Sequence, residues 1–99
     1  AGQFYPGKKV ELQKSLQSLI PAKSGAKPTI AVMSPHAGYM YSGAIAGKTF
    51  AEAEVPDEII ILGPNHTGRG QAVSVYDSGT WETPLGKTEI ATDLAGQIV

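Results

Sequence analysis

The chain has no cysteine among its 99 residues. No disulfide can staple it, and no thiolate within it can bind a metal. It has no apolar run near the roughly 18 residues that a membrane-spanning helix requires, and its first residues lack a secretory signal pattern. No membrane partner is expected, and the cytoplasm is the expected compartment. A large charge of one sign is also missing: formal net charge is −1, so nothing overall recruits nucleic acid or an anionic membrane. The charge is uneven, however. Residues 1–48 carry six Lys against Glu11, whereas residues 49–99 carry Arg69 and Lys87 against eight acids. Two differently charged solvated faces are the ordinary explanation. Histidine is scarce too, with only His36 and His66.

What is present suits one small globular domain. Hydrophobic residues make up 41% and charged residues 17%, a balance that opposes disorder. Most of the 12 Gly and 7 Pro fall between apolar runs and predict tight turns. Leu12, Leu16, Leu19 and Ile20 recur at helical spacing, so a helix is expected over 8–20 and ends before Pro21. A Lys/Gly/Pro linker follows at 21–28, then a short apolar strand at 29–33. The Ala-rich stretch 43–53 predicts a helix with Ser42 as its N-cap. Residues 58–62 (Glu-Ile-Ile-Ile-Leu) read as a strand buried on both faces, as in a parallel sheet covered by helices. Residues 72–76 alternate like a strand, 87–91 form a weaker candidate, and Asp93 could cap a last helix.

The expected fold class is α/β, a mixed or mostly parallel sheet with helices on both faces. The chain starts at Ala1 without Met, and a helix opening near residue 93 has little room before Val99. Residues 1–99 are therefore expected to be the N-terminal portion of one larger domain, cut in mid-domain.

The two histidines occupy matching places. Each predicted strand, 29–33 and 58–62, is followed within four residues by a Gly/Pro-rich loop bearing one of them. These loops are Ser34-Pro35-His36-Ala37-Gly38-Tyr39 and Gly63-Pro64-Asn65-His66-Thr67-Gly68. A strand–helix–strand unit places two parallel strands with their carboxyl ends on one edge, where open α/β sheets bind ligands. Two neutral imidazoles at such an edge suit iron, zinc or copper. The competing reading is that each ring merely hydrogen-bonds within its own loop, and spacing alone leaves both open.

These stretches resemble a known family. Ala1-Gly2-Gln3-Phe4-Tyr5-Pro6, Ser34-Pro35-His36-Ala37-Gly38-Tyr39-Met40-Tyr41-Ser42-Gly43, Leu62-Gly63-Pro64-Asn65-His66-Thr67-Gly68 and Trp81-Glu82-Thr83-Pro84-Leu85-Gly86 are similar, in order, to signature stretches of the Memo family. That family resembles in fold the class III extradiol ring-cleaving dioxygenases, which hold non-heme Fe(II). The resemblance implies that His36 and His66 are the first two metal-ligating histidines. A later ligand, a Cys in Memo proteins and a carboxylate in the dioxygenases, and a further pocket histidine would lie beyond these residues. It implies iron(II), with copper or zinc as alternatives, and oxidoreductase chemistry of dioxygenase type on a small-molecule substrate. The same family has also been read as a module that binds phosphotyrosine peptides in this pocket without catalysis, for which Arg69 is a candidate cation. A third possibility is that the loops are inherited structure and the segment is inert.

The remaining candidates have plainer alternatives. Asn65 could donate a hydrogen bond to an oxygen ligand beside His66, or simply form the turn. Tyr39, or Tyr41, could present a hydroxyl as proton donor, or pack on the sheet. Phe4, Tyr5 and Trp81 could rim the substrate site, or only pack their loops. Ser34 and Thr67 could hold a ring tautomer, although capping and turns use the same residues. No P-loop or G-x-G-x-x-G is present, which opposes a nucleotide site. No G-x-S-x-G elbow supports a Ser-His-Asp triad.

Overall fold

Leucines set the first helix, α1, which runs Lys9–Leu19. Leu12 is buried and Leu16 and Leu19 are half-buried, while Val10 lies off that face and is exposed. The helix stops at Ile20, whose backbone is extended at φ −96° and ψ 107°, because the Pro21 ring disfavours helical geometry in the residue before it. The computed structural model describes residues 1–23 and 25–99, so Ser24 of the 21–28 linker lies outside the described residues. Lys23, also in that linker, donates from Nζ to the Ala53 carbonyl at 3.2 Å.

The chain is α/β, and a strand–helix–strand unit is present. Strand β1 (Lys27–Pro28) precedes helix α2 (Tyr39–Glu52), and strand β2 (Ala53–Glu54) follows it directly. The strands pair in parallel, Lys27 with Ala53 and Pro28 with Glu54. They are shorter and earlier than the apolar pattern predicted, at 27–28 rather than 29–33 and at 53–54 rather than 58–62. The cause is pairing: a strand is held by its ladder partner more than by its own composition. Among the described residues no strand pairs with 29–33 or 58–62. Their large apolar side chains stand largely in solvent, from 42% for Val32 to 107% for Ile30.

Helix α2 packs on α1 through glycine. Gly43 and Gly47 are buried one helical turn apart on the same face. A Cβ on Gly43 would sit 2.9 Å from Leu19 Cδ1, and one on Gly47 would run into the Leu19 carbonyl. The helices can approach this closely only because neither position has a side chain. The buried apolar residues nearby are correspondingly small, Ala51 and Ala53 beside Leu12.

The chain divides into two compact units, Ala1–Pro56 with Thr83–Leu85, and Asp57–Glu82 with Gly86–Val99. The elements above belong to the first. Strands β3 (Thr80–Thr83) and β4 (Gly86–Glu89) form a hairpin that falls in the second apart from Thr83–Leu85, and a bond from the Ile90 amide to the Gly79 carbonyl at 3.1 Å extends it. Its turn needs glycine at Gly86, where φ is +142°. Strand β4 matches the weaker expectation at 87–91, while the expected strand at 72–76 is not formed. Helix α3 spans Thr92–Ile98 with Ala91, not Asp93, at its N-cap. Asp93 sits in the first turn, where the positive end of the helix favours a carboxylate. Among the described residues, no helix is long and apolar enough to cross a membrane.

Candidate functional site: two braced histidine loops

The loop bearing His36 is fastened on its downstream side. Helix α2 begins at Tyr39, four residues earlier than predicted, and its N-cap is Gly38 with no capping side chain. A helix start leaves several amides without intrahelical acceptors. Here the Tyr39 amide donates to the Phe4 carbonyl at 2.8 Å, while the Tyr41 and Ser42 amides donate to the Gly38 carbonyl at 2.9 and 3.1 Å. Ser42 is therefore not the N-cap. It is buried, and its hydroxyl donates back to the Ala37 carbonyl at 2.9 Å. That bond ties the residue immediately after His36 to the helix. Upstream, the Ser34 hydroxyl donates to the Pro35 carbonyl at 3.2 Å.

Residues 1–7 lie against this loop. Phe4 supplies the acceptor for Tyr39, and the Tyr5 and Tyr39 rings meet with centroids 5.8 Å apart, tilted by 35°. The structure thus joins Phe4, Tyr5 and Tyr39, three of the predicted site residues, beside His36 in sequence. Tyr41 points its bulk to solvent, 82% exposed, and does not share that contact. Trp81 belongs to the second unit's hairpin, where its ring meets Tyr76 at 6.4 Å.

Asn65 organises the loop bearing His66. Its Oδ1 accepts from the Thr67 amide at 3.2 Å, the Thr67 hydroxyl at 3.2 Å and the Gly68 amide at 2.9 Å. Its Nδ2 donates to the Arg69 carbonyl at 2.8 Å. Gly68 and Gly70 take the left-handed conformation, with φ of +65° and +79°, which side chains seldom adopt. His66 is thus carried on a turn whose backbone is set by the residue before it. The Asn65 carboxamide spends most of its bonding capacity on this task.

A test follows from that arrangement. Asn65→Ala removes all four bonds, and net contributions of about 0.5–1.5 kcal/mol each imply faster opening of the loop. Amide exchange at Thr67 and Gly68 should accelerate by about tenfold, the equivalent of about 1.4 kcal/mol. Asn65→Asp keeps the acceptor oxygen and should leave those two amides near their original rates. Equal acceleration in both variants would show that the Oδ1 bonds do not hold the turn.

Two fixing residues escaped the sequence reading. The Ser42 latch onto Ala37 resembles an ordinary helix cap in sequence, and the Phe4 carbonyl leaves no signal in residue type. The one hint is Gly38, because a helix opening without Ser, Thr, Asp or Asn at its N-cap must find its acceptor elsewhere. A groove of about 520 Å³ is lined by Lys27, Val32, Met33, Ile45, Lys48 and their neighbours. None of the predicted site residues lines it, so loop chemistry and not concavity marks the candidate site.

The model of the Memo-like protein family matches residues 1–99. The chain belongs to the Memo family. It is 45% identical over 101 residues to a MEMO1 family protein of Aquifex aeolicus, covering 100% of this chain and 38% of that relative. It is 42% identical over 113 residues to one of Aeropyrum pernix, covering 100% of this chain and 40% of the relative. With a Thermococcus onnurineus MEMO1 family protein it shares 44% over 104 residues, 99% of this chain and 35% of the relative. The chain thus spans about two-fifths of the length of the curated relatives it matches. No solved structure matches it. Both histidine loops, residues 1–7 and the β3–β4 hairpin all fall inside the Memo match. Among the described residues, no group of three or more His, Cys, Asp or Glu side chains could hold a metal ion.

Proposed function

We propose that this Memo-family chain contributes His36 and His66 as two of three protein ligands to a non-heme metal, iron(II) by preference. One observation supports the reading above others: both histidines sit on loops whose backbones are braced, one by Ser42 and Phe4 and the other by Asn65. Metal ligands must be held near their bound geometry by the surrounding structure, and bracing of this kind would do so. The donor set fits as far as it goes. Imidazole suits iron, copper and zinc, and the chain has no thiolate to compete.

When bound, ferrous iron supplies redox chemistry and open positions for dioxygen and an organic substrate. The chain's own part is orientation and proton handling. Tyr39, half-buried against Tyr5 at the first position of α2, holds a phenolic hydroxyl three residues beyond His36 and serves as proton donor to the substrate. Phe4 and Tyr5 present aromatic surface for a planar small molecule. Asn65 positions His66 through the turn.

The phosphotyrosine-peptide reading makes the opposite prediction. A redox protein purified anaerobically at full length should carry close to one transition-metal ion per chain and lose function when the metal is chelated. A peptide-binding module should bind a phosphotyrosine peptide equally well after chelation, and Arg69→Ala should weaken that binding. Retention of peptide binding without metal, together with no stoichiometric metal, would replace the proposal.

A further inference from the structure

We propose that residues 1–7 are a positioning strap for the His36 loop, so that the strap sets the affinity of His36 for its metal. This rests on the metal-ligand reading of His36. Three contacts carry it. The Phe4 carbonyl accepts the Tyr39 amide at 2.8 Å and does for α2 what a capping side chain does elsewhere. The Tyr5 ring lies on the Tyr39 ring at 5.8 Å. A Cβ on Gly38 would stand 3.3 Å from the Phe4 carbonyl oxygen and 3.6 Å from its Cα, so the strap backbone touches the loop where a side chain would intervene. Gly38 has φ −56° and ψ 154°, which any residue adopts. A side chain at Gly38 would therefore press on the strap and displace it by a few tenths of an ångström, while the backbone conformation itself would accept one.

The strap is itself folded. The Gly2 amide donates to the Tyr5 carbonyl at 2.7 Å, closing a turn with φ +83° at Gly2. Upstream and downstream restraints then converge on the same three residues. Ser42 holds Ala37, the strap holds Gly38 and Tyr39, and His36 is the next residue along. Fixing the backbone on one side of a ligand narrows the directions its ring can take, and supports of this kind are worth about 10–100-fold in metal affinity. Phe4 and Tyr5 act here through Tyr39 and Gly38, as positioning residues in addition to any surface they offer a substrate.

Cobalt(II) binding to the full-length protein tests this, read by titration and by the visible absorption of the bound ion. Tyr5→Ala and Gly38→Ala should each weaken cobalt binding about 10–100-fold and change the absorption bands. Tyr5→Phe, which keeps the ring, should bind within about threefold of the parent. Exchange of the Tyr39 amide should accelerate at least about tenfold in Tyr5→Ala while the far-ultraviolet circular dichroism stays unchanged. If His36→Ala loses cobalt but Tyr5→Ala and Gly38→Ala bind it as the parent does, the strap proposal is overturned and the metal reading survives. If His36→Ala binds cobalt as tightly as the parent, the metal reading fails and takes the strap's effect on affinity with it. An unchanged Tyr39 exchange rate in Tyr5→Ala would show that the ring contact does not secure the loop at all.

Discussion

Full-length protein carrying His36→Ala or His66→Ala should be purified without stoichiometric metal. In the proposed centre each substitution would remove one imidazole ligand and leave the metal two protein ligands of three. The loss should exceed the 10–100-fold typical of changes to the residues that merely orient ligands. Neither histidine is buried, so alanine opens no cavity in a core, and loss of metal could not be ascribed to lost packing. Elemental analysis of anaerobically prepared protein gives the answer directly. Metal content equal to the parent in both variants would dispose of the proposed centre, and retention in only one would reassign the missing ligand.

Gly47→Ala should lower stability more than any other single-methyl addition in the chain. The added Cβ meets the carbonyl group of Leu19, and backbone cannot swing aside as a flexible side chain can. Overpacking of this type costs about 1–3 kcal/mol, and the upper part of that range is expected here. Alanine's better helix propensity returns at most about 1 kcal/mol. The net loss of about 2 kcal/mol should lower the melting temperature by at least about 4 °C. Gly96→Ala is the matched control. It also lies inside a helix, but nothing approaches its Cβ within 4 Å. It should gain about 0.5–1 kcal/mol. Thermal melts that move the same way for both variants would refute the close α1–α2 contact.

Local rules made the helices legible and left the strands obscure. The leucine spacing and Pro21 located α1 to within a residue at each end, because both signals act within a few residues of the chain. The start of α2 was missed by four residues, since its first amide is satisfied by Phe4, far away in sequence. Residues 58–62 have the composition of a buried strand, yet composition cannot supply a partner. The chain spans about two-fifths of its relatives' length, so that partner need not be among these residues. The hairpin was half seen: β4 was a weak candidate, while β3, with Thr80, Trp81 and Thr83 leading into Pro84-Leu85-Gly86, carried a turn signal that went unused. At the candidate site, residue type singles out the histidines and the aromatic residues as candidates. The fastenings did not show, because a carbonyl oxygen has no letter in the sequence.

The bond between Phe4 and Tyr39 also has a direction in time. During synthesis residues 1–7 leave the ribosome before α2, as the chain lengthens at about 5–20 residues per second. The strap is therefore synthesised before the helix whose first amide it accepts. Whatever is attached immediately ahead of Ala1 competes for that early moment. A bulky fusion there would slow closure of the loop between residues 4 and 39, whose entropic cost must be met before the contact repays it. The same fusion at the other end of the chain would leave this step untouched.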